Sequence, residues 1–323
     1  MDRRNALTLG TAAAAMGLAV NASHSAAVAR KQMRVRPFIE RPDGTSLFFQ
    51  DWGAGDPVVF VHSAGNSSDV WAYSMIHIVK QGFRCVAFDR RGHGRSSVPG
   101  GGYDYDSLAD DLAAVIEAFD LRRLTLVGHS MGCGEVVRYL TRHGSKRVAR
   151  IALVAPTLPF LLRTADNPNG IPKEYFERTR AEWQRDYPKW LAANSAPFFT
   201  PETSKEMIQW GISLALRTSL HAAIESNVAL TETDFREELR KIDVPAIIVH
   251  GNADKSCPLE LTGRPTAALI PGSELKIYEG APHGVLLTHV EQLNEDLLKF
   301  LQSVSPAARS HSAGTDSSGR RSS

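Results

Sequence analysis

Three side chains far apart in the chain carry the groups needed for acyl transfer. Gly128-His129-Ser130-Met131-Gly132 is a G-x-S-x-G set lying between an apolar strand candidate and a helix candidate. A strand that turns at once into a helix leaves no room for Cβ atoms beside the apex, so glycines are required there. The apical serine takes a strained backbone that exposes its hydroxyl. A serine hydroxyl at its free pKa is a poor nucleophile, and it needs a base to take its proton and an acid to orient that base. The bare pattern is weak, and the strand-turn-helix context is what gives it meaning.

Position along the chain selects the partners. His283, in Gly280-Ala281-Pro282-His283-Gly284, follows a strand candidate and is flanked by residues that serve neither a helix nor a core. Asp254 follows the strand ending at His250 through Gly251-Asn252-Ala253, whereas Asp243, a weaker rival for the acid, precedes that strand. A tetrahedral oxyanion needs two N–H donors. One is the Met131 N–H at the start of a helix, where the dipole also favours negative charge. The other is expected from the loop His62-Ser63-Ala64-Gly65-Asn66-Ser67-Ser68, whose small residues let backbone approach a substrate, and the Ala64 N–H is nominated. His62 is read as a structural histidine holding that loop and His129 as the variable position of the turn. Asp89-Arg90-Arg91-Gly92-His93-Gly94-Arg95-Ser96 is read as a loop of local ion pairs.

These groups must be carried by a sheet. Arg36 to Glu40 and Ser46 to Trp52 flank the hairpin signal Asp43-Gly44. Apolar strands are expected at Pro57–His62, Phe83–Asp89, Leu124–Gly128, Val148–Ala155, Val244–His250 and Glu274–Tyr278. Between them lie helix candidates at Val70–Lys80, Asp106–Asp120, Glu135–His143, Leu259–Leu269 and Val290–Leu301. Continuous apolar strands separated by amphipathic helices predict an α/β domain with a mostly parallel sheet covered on both faces. Ligand sites of such sheets lie at the C-terminal strand ends, where Ser130, Asp254 and His283 all fall. The alternation stops from Pro156 to Phe235, and this segment reads as a helical cap rich in aromatics: Tyr175, Phe176, Trp183, Trp190, Phe198, Phe199 and Trp210. Such a stripe is by default the cap's own packing and secondarily a ligand wall.

Composition narrows the classes. The 323 residues are 43% hydrophobic and 22% charged, which excludes disorder over most of the chain, and a formal charge of +2 provides no basic field for nucleic acid. Cys85, Cys133 and Cys257 are an odd number with no C-x-x-C pair, so neither a disulfide framework nor a metal cluster is indicated. Residues 1–29 read as an export signal: Arg3 and Arg4, an apolar run from Ala6 to Val20 too short for a stable membrane anchor, then Ala27-Val28-Ala29. The paired arginines resemble a twin-arginine (Tat) leader, with Asp2 and Ala6 departing from that consensus, and an ordinary Sec signal is the alternative. A periplasmic or secreted protein is expected. Ser305 to Ser323 reads as a disordered tail. The expected organisation is thus a core of 30–155 and 236–304, a cap of 156–235 and the two ends.

From Val35 to Val304 the sequence resembles the α/β-hydrolase superfamily, and more closely its cofactor-free branch of bacterial haloperoxidases, perhydrolases and arylesterases. The resemblance is carried by Asp89 to Ser96, matching D-x-R-G-x-G-x-S; by Gly128 to Glu135; by His250-Gly-Asn-Ala-Asp254 with Pro258; and by Tyr278-Glu-Gly-Ala-Pro-His283-Gly284. It implies Ser130 as nucleophile, Asp254 as acid, His283 as base, the Ala64 and Met131 N–H groups as oxyanion hole, and no metal, haem or other cofactor. The family usually carries His-Gly, an aromatic residue and often proline where this chain has Ser63, Ala64 and Gly65 after His62. That departure argues against halide oxidation or perhydrolysis as the main activity and implies a roomier pocket. Related haloalkane dehalogenases and epoxide hydrolases place aspartate where Ser130 stands.

The expectation is a serine hydrolase acting on a small carboxylic ester of apolar or aromatic character, through an acyl-enzyme on Ser130. Activity should rise through neutral pH, because an imidazole base works only when neutral. Three alternatives stay open: a lactonase, amidase or C–C bond hydrolase with the same triad; a cofactor-free haloperoxidase or perhydrolase; and a non-catalytic binding protein on the same fold.

Overall fold

A computed structural model describes residues 37–303. The export signal over 1–29 and the tail over 305–323 lie outside the described residues, as do the first residues of the expected core. A hairpin, β1 (Phe38–Glu40) and β2 (Ser46–Gly53), opens the sheet. The strands β3 (Pro57–Val61), β4 (Arg84–Phe88), β5 (Leu124–His129), β6 (Val148–Val154), β7 (Ala246–Gly251) and β8 (Glu274–Tyr278) follow. Their spatial order is β1-β2-β4-β3-β5-β6-β7-β8, parallel from β4 onward, with β2 antiparallel to both β1 and β4. The expected mostly parallel α/β sheet is therefore present.

Why the sheet is covered on both faces is visible in its side chains. Successive residues of a strand point to opposite faces. On β3, Val59 and Val61 enter one core with Leu126 and Leu153, while Val58 and Phe60 enter the other with Val127 and Val154. Helices α2 (Tyr105–Ala118) and α3 (Met131–His143) pack on the first face. A 3-10 turn (Ser68–Trp71) and α1 (Ala72–Lys80) pack on the second. Phe60 is fully buried with its ring 5.1 Å from that of Trp71, so Phe60→Ala would cost about 3–5 kcal/mol. The Asp104 side chain caps α2 by accepting from the Ser107 N–H at 2.9 Å.

Several helix bounds differ from the sequence reading; the helix expected at Leu259–Leu269, for one, begins at Gly263. α3 starts at Met131 rather than Glu135, because the elbow forces the chain into a helix despite the poor propensity of Gly132 and Gly134. In the insertion between β6 and β7, residues 156–172 are not helical, since Pro156, Pro159, Pro168 and Pro172 break any regular ladder. The helices there are α4 (Lys173–Asn194), α5 (Lys205–Ala215) and α6 (Leu220–Glu232), with a 3-10 turn at Ala196–Phe198. α4 is kinked at Asp186 (φ −162°, ψ 82°), whose side chain accepts from the Lys189 N–H at 3.0 Å and starts the second half just before Pro188. Phe235 closes the insertion but sits in the main core, edge-on to Tyr105 at 4.8 Å. Then come α7 (Arg236–Leu239), α8 (Gly263–Leu269), α9 (Val285–Thr288) and α10 (Val290–Gln302).

The topology decides what meets at the sheet rim. The order of strands reverses around β3, and β3 and β5 run side by side with Val61 opposite Gly128. The loop after β3 therefore emerges next to the turn after β5, at the switch point where open sheets bind ligands.

Candidate active site

Ser130 stands at φ 55°, ψ −118°, a conformation L-residues rarely adopt, between the end of β5 and the start of α3. Its N–H donates to the Val154 carbonyl at 2.9 Å and its carbonyl accepts from the Cys133 N–H at 3.0 Å, which locks the turn. The glycines are demanded by contact: a Cβ on Gly128 would lie 2.7 Å from the Gly132 carbonyl oxygen, and one on Gly132 would lie 2.6 Å from that of Val61.

The Ser130 hydroxyl donates to His283 Nε2 at 2.9 Å, and His283 Nδ1–H donates to Asp254 Oδ2 at 2.7 Å. A carboxylate can only accept, which assigns the proton to Nδ1 and leaves Nε2 free to accept from the serine. All three residues are buried. Asp254 Oδ1 accepts from the Ser256 and Cys257 N–H groups at 2.9 and 2.8 Å. Burial alone would raise the Asp254 carboxyl; the His283 and His250 imidazoles and the Cys257 N–H outweigh it and hold it well below the usual carboxylate range. The rival Asp243 is bonded to Ser145 in an exposed contact instead. The structure thus brings together the three residues that the sequence singled out.

Ala64 borders the same cavity as Ser130 and His283, and its N–H has no acceptor among the described residues. Met131 is fully buried and does not itself border that cavity; as the first residue of α3, directly after Ser130, its N–H has no intrahelical partner. His62 holds the loop as expected, its Nδ1–H donating to the Ser63 carbonyl at 2.7 Å and its Nε2 accepting from the Arg90 N–H at 2.9 Å. Burial and the Arg90 guanidinium hold His62 well below its ordinary pKa, which matches this neutral form. Of the local ion pairs expected after β4, Arg95 on Asp89 at 3.0 Å is present, whereas Arg91 and Arg90 pair outside the loop, with Asp111 at 2.7 Å and with Glu135.

Over these groups lies a cavity of about 920 Å³. Tyr175, Phe176, Trp183, Trp190, Phe198 and Phe199 border it, so the aromatic stripe is wall rather than only internal packing, and that default expectation is corrected. Trp210 does not border the cavity and packs instead on the main domain, edge-on to Tyr73 of α1 at 6.0 Å. Several of the bordering rings also meet one another, Trp183 with Trp190 at 5.0 Å and Phe198 with Phe199 at 5.1 Å.

A family model described as the alpha/beta hydrolase fold matches residues 56–290. The chain belongs to the α/β-hydrolase family. Within it, the chain is 38% identical over 273 residues to a non-heme haloperoxidase of Rhodococcus erythropolis, covering 83% of this chain and all of that protein. It is 37% identical to a bifunctional esterase/perhydrolase of Acinetobacter calcoaceticus, over 82% of this chain and 99% of the relative. The solved structure of an esterase from Exiguobacterium antarcticum superposes with a TM-score of 0.80 at 33% identity, covering 82% and 99%. These relatives place the α/β-hydrolase in the non-heme haloperoxidase branch and make it an enzyme.

Three contacts in this α/β-hydrolase were not legible beforehand. His129 is more than the variable elbow position: its Nε2–H donates to the His283 carbonyl at 3.0 Å and its ring lies 5.1 Å from that of His283. Burial pushes His129 down to about 3, so it is a neutral brace. His250 Nε2–H donates to the Cys257 carbonyl at 2.8 Å and stands 3.3 Å from Asp254 Oδ2. Phe198 of the insertion accepts from the Gly284 N–H at 3.0 Å and sets its ring edge-on to His283 at 5.8 Å. Proximity in sequence to Ser130, Asp254 and His283 was the only available signal for the two histidines; Phe198 had none.

Proposed function

We propose that this α/β-hydrolase is a serine esterase that works through an acyl-enzyme on Ser130. The observation that carries the reading is the unbroken hydrogen-bond chain from Ser130 Oγ through His283 to Asp254, with the serine in a strained elbow beside the cavity. Oγ attacks the ester carbonyl while His283 Nε2 takes its proton, and Asp254 holds the imidazole in the tautomer that can accept it. The carbonyl oxygen becomes an oxyanion held by the N–H groups of Ala64 and Met131. The imidazolium then protonates the leaving alkoxide, which departs as alcohol. Water, deprotonated by His283, attacks the acyl-enzyme and releases the acid and free Ser130.

The volume of the cavity and its aromatic wall support an ester with a bulky apolar or aromatic group. Hydrogen peroxide in place of water would convert the same acyl-enzyme to a peracid, a second reading favoured by the esterase/perhydrolase relative. The leader at residues 1–29 supports action outside the cytoplasm. The test is hydrolysis of p-nitrophenyl esters of graded acyl size by the wild type and by Ser130→Ala, with circular dichroism to show that the fold is retained. Loss of turnover in a folded Ser130→Ala is expected, and unchanged turnover would remove Ser130 from its role.

A further inference from the structure

Arg90 is one of the largest fully buried side chains in the protein, and burying a guanidinium is costly unless its donors are met. Its Nε donates to Glu135 Oε1 at 2.6 Å, Nη2 donates to the same oxygen and to the His62 carbonyl at 2.6 Å, and Nη1 donates to the Ser63 carbonyl at 3.2 Å. Among the described residues the guanidinium's partners belong to two segments: the loop after β3, and α3, which begins directly after Ser130.

We infer that Arg90 is a positioning residue for the oxyanion hole: by holding the His62 and Ser63 carbonyls, the Arg90–Glu135 pair turns the Ala64 N–H into the cavity. This deepens the esterase reading and rests on it. In a trans peptide the C=O and N–H point to opposite sides. The Ser63 carbonyl is drawn inward by Arg90 and by His62 Nδ1–H, so the Ala64 N–H, on the same peptide plane, faces the other way. That N–H has no acceptor among the described residues, and Ala64 borders the cavity beside Ser130. The loop cannot hold the peptide in place with bulk of its own, because Ser63 and Ala64 are small and Gly65 (φ 63°) is free to turn. Glu135 lies one turn along the helix that starts at Met131, so the ion pair references one donor to the other. Gly132 completes the fit by letting that helix touch the Val61 and His62 carbonyls.

A purely structural ion pair differs in its consequences, because a buried pair can be exchanged for apolar side chains with little loss of stability. The test is the double variant Arg90→Met/Glu135→Leu, with Arg90→Lys alongside it in case the first does not fold. The lysine keeps the charge beside Glu135 but cannot reach both carbonyls. Each variant is assayed for kcat and KM on p-nitrophenyl acetate, for thermal stability, and for inhibition by a trifluoromethyl ketone, whose serine adduct places an oxyanion in the hole. A folded variant is expected to lose about 10- to 100-fold in kcat with KM within about 3-fold, and to bind the ketone weaker in the same proportion. Folded variants with kcat and ketone affinity within 3-fold of wild type would overturn the inference. A wild type that hydrolyses no ester would instead remove the esterase reading, and the inference with it.

Discussion

Asp254→Asn exchanges one oxygen for an NH₂ and is nearly isosteric, so its consequence can be worked out atom by atom. Oδ1 accepts from two turn N–H groups, and the amide oxygen can take over both bonds, which keeps the loop after β7 in place. At the Oδ2 position, 2.7 Å from His283 Nδ1, an acceptor becomes a donor. To keep a bond there, His283 must leave Nδ1 bare and carry its proton on Nε2, facing Ser130, and in that tautomer it cannot accept from the serine. In serine proteases the equivalent change costs about 10⁴ in kcat, or about 5.4 kcal/mol of barrier, and the same order is expected here. Stability responds separately. The Asp254 carboxyl is depressed in the folded state, so its contribution is present above about pH 4 and lost as pH falls below that range, and this part of the acid limb should vanish in the variant. The assay is kcat for p-nitrophenyl acetate at pH 8 with a thermal melt at the same pH. A folded Asp254→Asn that keeps more than a tenth of wild-type kcat would refute the tautomer reasoning.

Lowering the pH from 7.5 to 5.5 should destabilise the protein. His93 and His129, pushed down to about 3 by burial, and His62, also depressed, stay neutral when folded but charge when unfolded, so their stabilisation is present above about 6.5 and lost below it. His93 and His129 together cost about 3 kcal/mol over that interval and His62 adds to the loss, while Glu135, raised to about 7 by burial against the pull of Arg90, gains stability as the pH falls and offsets about 2 kcal/mol. Urea titrations at the two pH values check this, and equal stability would contradict it. Gly132→Ala puts a methyl group against the Val61 and His62 carbonyls and should cost about 1–3 kcal/mol together with at least 10-fold in kcat, read from melts and ester hydrolysis. Phe198→Ala keeps the carbonyl bonded to Gly284 but removes a ring from beside His283; kcat/KM for p-nitrophenyl benzoate is expected to fall more than for p-nitrophenyl acetate, and a uniform fall would show the ring is not part of the substrate wall.

How much of this was legible in the sequence divides along a physical line. Elements whose pattern is local were readable: the β8 bounds match, and the loops that follow β5, β7 and β8 carry Ser130, Asp254 and His283 because parallel strands all end at one rim. What tertiary contact decides was not. α3 begins inside a glycine-rich stretch because Ser130 needs the elbow, which no propensity expresses. The aromatics of the insertion carry the same pattern whether they face each other or a cavity. Arg90 looked like any charge in a loop; its meaning depends on Glu135, 45 residues away, and on two carbonyls that carry no side-chain signature at all.

The decisive experiment is treatment of the purified protein with a fluorophosphonate, followed by peptide mapping. One adduct per chain on the peptide carrying Ser130, lost in His283→Ala, is the expected result. No adduct on the folded protein, or an adduct that persists in Ser130→Ala, would contradict an acyl-enzyme at that serine.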